Sequence, residues 1–101
     1  MDTNVVRFLT LNCWGLPDFI LDVTYRKIKN RPSLETRMEL ISRHFVDYDF
    51  VALQEVWLEK SATQLISAAL KCGLIYSHSF NSGIIGRSGL LVLSRFPIEE
   101  V

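Results

Sequence analysis

Two polar residues that close apolar runs are the first candidates for chemistry in this sequence. Asn12 ends the run "VVRFLTLN", and Glu55 stands near the end of "DFVALQEVW". A carboxylate at the end of a buried strand costs free energy unless it is paired or metal-bound, and no cation is close to Glu55 in sequence. A carboxylate, a carboxamide and waters suit Mg²⁺, whereas the alternative is that Glu55 caps a loop or pairs with an arginine.

Other residue types that could do chemistry carry weaker signals. His78 lies in "YSHSFNSG" and His44 follows Arg43, and a lone strand or helix histidine is more often structural than catalytic. The segment from Asn81 to Gly89 is rich in glycine and serine but does not match a phosphate-binding loop. No Ser–His–Asp arrangement or nucleophile elbow is visible.

A basic cluster from Arg26 to Arg31 interleaves cations with Tyr25 and Ile28. Such a cluster attracts phosphate head groups or nucleic acid locally, even when the net charge is zero. The alternative is a solvated face of a loop or helix. The apolar and basic residues between Asp18 and Arg31 predict a long loop, with a helical piece as a further option.

The elements that must position these residues follow from hydrophobic periodicity. Val5–Asn12 predicts a mostly buried strand, and Pro32 or Ser33 opens a helix whose apolar face is Leu34, Met38, Ile41 and Phe45. The segment Phe50–Val56 predicts the second strand. A second helix follows with capping-box spacing in "SATQ" and a terminating Gly73. Two further strands are predicted in "LIYSHSF" and "GLLVLSR".

The order strand, helix, strand, helix, strand, strand makes the fold class α/β (α+β). The first strand–helix–strand unit predicts two parallel neighbours. Asn12 and Glu55 then lie at the carboxyl ends of parallel strands, on one edge of the sheet. That edge is where open α/β sheets bind ligands.

Composition bounds the class of protein. The chain of 101 residues is 49% hydrophobic and 22% charged, with zero formal net charge, so no global field favours nucleic acid. Cys13 and Cys72 form no metal or redox spacing, which favours a reduced intracellular setting. No signal peptide is visible, and no apolar run approaches the roughly 20 residues of a membrane span.

Three segments together resemble a known family. "FLTLNCWGLP", "DFVALQEVW" and "SGIIGRSGLLVLSRFPI" are similar to the N-terminal part of the endonuclease/exonuclease/phosphatase superfamily, which has the DNase I-like fold. The third segment favours the neutral sphingomyelinase branch, which includes inositol phosphosphingolipid phospholipases. Arg87 departs from that branch's pattern, and residues 16–32 lie outside the resemblance.

The resemblance implies a fold, a cofactor and residue roles. Residues 1–101 would form the N-terminal portion of a four-layered α/β sandwich. Glu55 looks like the family's Mg²⁺-binding glutamate, and Asn12 like the catalytic strand-end asparagine beside it. The implied reaction is hydrolysis of sphingomyelin or a related phosphosphingolipid at a membrane surface, giving ceramide and a phosphorylated head group. The resemblance assigns no substrate-binding residue.

Two later motifs of the family pattern are absent from the sequence. These are a "GDxN"-type segment and an "SDH"-type segment that carries the general base. We therefore expect a fragment that is inactive by itself, belonging to an intact enzyme that associates with membranes. The alternatives are a nuclease or inositol-polyphosphate phosphatase of the same superfamily, or a non-catalytic module that binds lipid or a partner.

Overall fold

The computed structural model describes residues 5–16, 31–81 and 87–99. In chain order they form strand β1 (Phe8–Asn12), helix α1 (Leu34–Ser42), strand β2 (Phe50–Gln54), helix α2 (Glu59–Lys71), and strands β3 (Tyr76–Asn81) and β4 (Arg87–Ser94). The predicted order of strands and helices is confirmed. The loop predicted from Asp18, most of the basic cluster, and residues 82–86 of the glycine–serine segment lie outside the described residues.

The strands form one mixed sheet in the order β1-β2-β4-β3. β1 and β2 are parallel, with Asn12 opposite Gln54. β4 runs antiparallel to β2, and β3 runs antiparallel to β4. The predicted parallel pair is therefore confirmed, and the carboxyl ends of β1 and β2 share an edge with Asn81 and Arg87, which flank residues 82–86.

The prediction that the first strand is mostly buried is wrong. β1 is one of the two edge strands of the described sheet, and only Leu9 is partly covered along its length. The ring of Phe8 is 68% exposed. Apolar composition alone does not distinguish a central strand from an edge strand whose outer face is also open.

One face of the sheet carries the core. Alternating side chains of β2 and β4 point toward the helices and are almost fully buried: Val51, Leu53, Leu91 and Leu93. They form one cluster with Met38, Phe45, Leu65 and Ala69. Burial of each large aliphatic side chain contributes about 1.5–3 kcal/mol, so this cluster is the main support for β2 and for the site at its end.

The helix ends only partly follow the predicted caps. The Ser33 side chain accepts a hydrogen bond from the Thr36 N–H and caps α1 as predicted, and Gly73 follows α2 with φ of 86°. The predicted capping box in "SATQ" is wrong, since α2 begins two residues before Ser61. Ser61 lies inside the helix, 2% exposed, and its N–H bonds to the Leu58 carbonyl.

The other face of the sheet, here called the open face, carries Phe8, Thr10 and Asn12 of β1 beside Phe50, Ala52 and Gln54 of β2. The Phe8 and Phe50 rings are 5.5 Å apart between centroids. Gln54 donates from Nε2 to Thr10 Oγ1 over 2.9 Å, which places both polar side chains on this face. The open face therefore ends at the edge of the sheet that carries Asn12.

In the described part of the chain, neither helix is both long enough and apolar enough to cross a membrane.

Candidate metal centre

The end of β2 is set by the backbone of Glu55. The predicted strand ran to Val56, but β2 stops at Gln54 because Glu55 has a left-handed φ of 59°. Left-handed backbone in a residue other than glycine costs about 1–3 kcal/mol and clusters at functional sites. Neighbours stabilise this turn, since the Val56 N–H donates to the Gly89 carbonyl over 2.8 Å.

The loop after β1 contains a second left-handed residue. Trp14 has φ of 50°, and its N–H donates to Asn12 Oδ1 over 3.0 Å. The preceding Cys13 N–H donates to the Gln54 carbonyl over 2.8 Å. Both strands thus end in tight turns that are bonded to one another.

The structure brings Asn12 and Glu55 into direct contact. The amide nitrogen of Asn12 donates to Glu55 Oε2. This orientation follows from the Trp14 contact, because a backbone N–H can only donate and so requires the amide oxygen of Asn12. Within the described ranges, Oε1 of the half-buried Glu55 has no hydrogen-bond partner.

Gly15 is a site residue that the sequence interpretation missed. Its N–H donates to the Glu55 carbonyl over 2.8 Å. A Cβ placed on Gly15 would overlap that same carbonyl oxygen, so only glycine allows this close approach. The available signal was a glycine three residues after a polar strand end, which alone is too common to be diagnostic.

Arg37 was missed as well, although its position carried a signal. It falls between Leu34 and Met38 on the face of α1 that packs against the core. Its guanidinium donates from Nη1 to the Trp14 carbonyl over 2.9 Å and to the Cys13 carbonyl over 3.4 Å. A charged residue on an apolar helix face is a reason to look for a specific partner.

Cys13 lies within the site but does not offer a nucleophile. Burial raises the pKa of its thiol to about 12, an effect that Arg37 opposes and the nearby Glu55 charge reinforces. The thiolate is the reactive form, so a buried thiol with a raised pKa is poorly suited to act as a nucleophile.

The other sequence candidates do not join the site. His78 lies on β3 opposite Val92 and packs edge-on against Phe80, with ring centroids 4.4 Å apart. His44 is exposed before a short 3-10 turn. Gly89 has φ of 78°, and a Cβ there would meet the Trp57 ring at 2.9 Å, so Gly89 accommodates Trp57, and it contacts the site only through its carbonyl, which accepts the Val56 N–H.

The donor chemistry at this edge fits one part of a Mg²⁺ site. Among the described residues, no group of three or more His, Cys, Asp or Glu side chains is close enough to hold a metal ion. One accessible carboxylate oxygen matches the way Mg²⁺ is bound, through one or two carboxylates with retained waters and substrate phosphate. Glu55 would be the ligand, and Asn12 would orient its carboxylate.

Comparison with known proteins gives a consistent set of relatives. A model of the Endonuclease/Exonuclease/phosphatase family matches residues 9–101. The chain is 38% identical over 92% of its length to a Drosophila melanogaster protein named as a neutral sphingomyelinase, of which it covers 19%. It is 37% identical over 94% of its length to inositol phosphosphingolipids phospholipase C of Schizosaccharomyces pombe, covering 20%.

A human relative completes the comparison. Sphingomyelin phosphodiesterase 2 of Homo sapiens is 34% identical over 95% of this chain, which covers 20% of that relative. The chain therefore spans about a fifth of the length of these curated relatives.

Proposed function

We propose, from the premise that this chain belongs to the Endonuclease/Exonuclease/phosphatase family, that it forms part of a phospholipase C-type phosphodiesterase. The proposed substrate is sphingomyelin or a related phosphosphingolipid, cleaved to ceramide and a phosphorylated head group. The names of the sphingomyelinase and phospholipase C relatives support this choice of substrate class.

The observation that carries the proposal is the Asn12–Glu55 pair at the carboxyl edge of the sheet. A bound Mg²⁺ would supply positive charge to stabilise the phosphate as it is attacked. The chain's own contribution is an oriented carboxylate. Asn12 bonds to one oxygen of Glu55, and the other oxygen has no hydrogen-bond partner among the described residues, so it would be the one to bind the ion.

We further propose that these residues alone do not catalyse turnover. The described residues contain one carboxylate at the site and no cluster of three metal-binding side chains. Neither the "GDxN"-type nor the "SDH"-type segment occurs in the sequence. Loss of a general base alone typically lowers a rate by about 10²–10⁴-fold, and missing ligands would lower it further.

The test compares the full gene product with this chain of 101 residues. Both are assayed with Mg²⁺ on mixed micelles that contain sphingomyelin or an inositol phosphosphingolipid. We expect the full gene product to release phosphorylated head group, and this chain to release none. Mg²⁺-dependent turnover by the chain itself would contradict its proposed inactivity.

Control substrates separate this proposal from the other activities in the family name. DNA and inositol polyphosphates are offered to the full gene product under the same conditions. Faster hydrolysis of either would replace the lipid with a nucleic acid or an inositol phosphate as the proposed substrate. No hydrolysis of any substrate by the full gene product would favour a non-catalytic module that binds lipid or a partner.

A further inference from the structure

Arg37 occupies a position on α1 where packing would favour an apolar residue. Leu34 and Met38 on either side are 3% and 0% exposed, and Ile41 one turn later also packs against the core. Arg37 itself is half-buried. A guanidinium retains its charge at all ordinary pH values, so this position is tolerated only because the side chain meets specific acceptors.

Those acceptors belong to the loop that shapes the site. Nη1 of Arg37 reaches the Trp14 carbonyl at 2.9 Å and the Cys13 carbonyl at 3.4 Å. Trp14 is one of two residues other than glycine that have a left-handed backbone within the described ranges. Such a conformation persists only where surrounding contacts hold it, and the bond from Arg37 is one such contact.

A continuous series of hydrogen bonds runs from Arg37 to Glu55. Arg37 donates to the Trp14 carbonyl, and the Trp14 N–H donates to Asn12 Oδ1 over 3.0 Å. The amide nitrogen of Asn12 then donates to Glu55 Oε2. Each of these groups has a fixed donor or acceptor role, so the orientation of the Asn12 amide depends on where the Trp14 peptide is held.

We propose that Arg37 is a positioning residue for the Glu55 carboxylate, acting through the Trp14 peptide and the Asn12 amide. The inference rests on the proposed function in so far as Glu55 binds Mg²⁺. Its structural part, the orientation of Asn12 and Glu55, stands without any metal. Partners that orient a metal ligand typically change metal affinity by about 10–100-fold when they are removed.

The experiment observes the Asn12 side-chain amide directly in this chain by ¹⁵N–¹H NMR without metal. The variant Glu55→Ala identifies the resonance that depends on the carboxylate. We expect Arg37→Ala to move the same resonance in the same direction, and Arg37→Lys to move it less because lysine keeps one charged donor. Arg43→Ala is the matched control, since Arg43 is the C-cap residue of α1 and its side chain pairs only with exposed Glu39 in the described contacts.

A second readout is the Mg²⁺ concentration that half-activates the full gene product, since this chain supplies only one part of the proposed metal site. Arg37→Ala is expected to raise that concentration by about 10–100-fold, with Arg43→Ala unchanged. The backbone resonances of β4 and α2 establish that each variant is folded. If Arg37→Ala does not fold, the milder Arg37→Lys variant decides the question by the same two readouts.

The outcomes separate the inference from the function on which it rests. An Asn12 resonance that is unchanged in folded Arg37 variants overturns the positioning role, whatever Mg²⁺ does. If the full gene product fails to respond to Mg²⁺, the proposed metal role of Glu55 is refuted. The metal-free resonance then decides by itself whether Arg37 orients the pair.

Discussion

Two acids border the same strand and are used in opposite ways. Asp49 immediately precedes β2, and Glu55 immediately follows it. Both residues are half-buried. Sequence spacing alone does not show which of the two has a structural role and which could bind a ligand. The difference between them is the number and kind of groups that their carboxylates already contact.

The Asp49 carboxylate has a structural role. Its Oδ2 accepts the Arg7 N–H over 3.0 Å, and its Oδ1 accepts Nε of Arg95 over 2.9 Å. The Arg7 backbone bond and then the Arg95 side-chain bond lower the pKa of Asp49. Arg95 also reaches the Cys72 and Tyr48 carbonyls, so this carboxylate joins β1, β2, β4 and the end of α2.

Glu55 keeps an oxygen available. Its only described side-chain partner is Asn12, and its left-handed backbone directs the chain out of the sheet. The comparison teaches that the structural alternative raised from the sequence, an acid paired with an arginine, does occur at β2, but at Asp49. Glu55 is the acid with a carboxylate oxygen that has no hydrogen-bond partner among the described residues.

The largest expected effect comes from removing the charge of Glu55. In the full gene product, Glu55→Gln should lower the proposed Mg²⁺-dependent phosphodiesterase activity by more than about 100-fold, since loss of the proposed ligand should exceed the effect of losing its orienting partner. The unfolding midpoint should hardly change, because the Asn12 bond can be made by a glutamine oxygen. Activity assays and thermal unfolding measure the two quantities.

Asp49→Asn is the matched control for that substitution, because it removes the other acid beside β2. It should leave the activity per folded molecule near the unsubstituted value. The proposed difference between the two acids would be contradicted if Asp49→Asn abolished activity in folded protein, or if Glu55→Gln retained it.

The next prediction tests whether the site requires the close approach of the Gly15 backbone to the Glu55 carbonyl. Gly15→Ala places a Cβ against the Glu55 carbonyl and disrupts the bond between them. Overpacking of this kind typically costs about 1–3 kcal/mol of unfolding free energy. We expect a loss in that range by denaturant unfolding, together with loss of activity in the full gene product, because Glu55 must move.

Gly73→Ala provides the contrast at a glycine remote from Glu55. Gly73 also has a positive φ, but the atoms that meet its Cβ belong to the flexible Arg95 side chain. The substitution should lower stability and spare activity. Equal losses of activity in the two variants would indicate a global effect instead of a local one at the site.

Much of this arrangement was predictable from sequence, for identifiable reasons. Strand order in the first half follows from the β-α-β pattern, which made β1 and β2 parallel and placed Asn12 and Glu55 at one edge. The Ser33 cap and Gly73 carry local signals that few other residue types give. Where the role of a residue depends on its neighbours in sequence, the sequence pattern was enough to predict it.

The remainder depended on contacts between distant residues. The false capping box at Ser61 had the right spacing, but α2 already begins at Glu59, so Ser61 lies inside the helix with its side chain buried. Arg37 and Gly15 gain their roles only when the loop after β1 meets the end of β2. Sequence spacing does not show that these two segments come into contact. The edge position of β1 likewise depends on which strand pairs with β2.

A smaller effect is expected from the acid that supports the fold. In this chain, Asp49→Asn should lower the thermal unfolding midpoint, by less than Gly15→Ala, because Asn keeps the size of the side chain and one acceptor for Arg7 or Arg95. Circular dichroism measures the midpoint. Arg43→Ala, which removes an exposed pair with Glu39, should leave the midpoint unchanged, since such pairs contribute little. An Asp49→Asn midpoint equal to the unsubstituted value would contradict the structural role.

The smallest effect is the pH dependence that Asp49 contributes to stability. Its pKa in the folded chain is lowered from the ordinary value near 3.8. A lowered folded pKa means that the unfolded chain binds the proton more readily, so this contribution is fully present well above pH ~4. It declines as the pH falls through the ordinary value and toward the folded pKa. Unfolding midpoints measured from pH 6 down to pH 3 should therefore fall less steeply for Asp49→Asn than for the unsubstituted chain. Parallel curves would show that the Arg7 and Arg95 contacts do not distinguish the two charge states of Asp49, and the contrast with Glu55 would then rest on geometry alone.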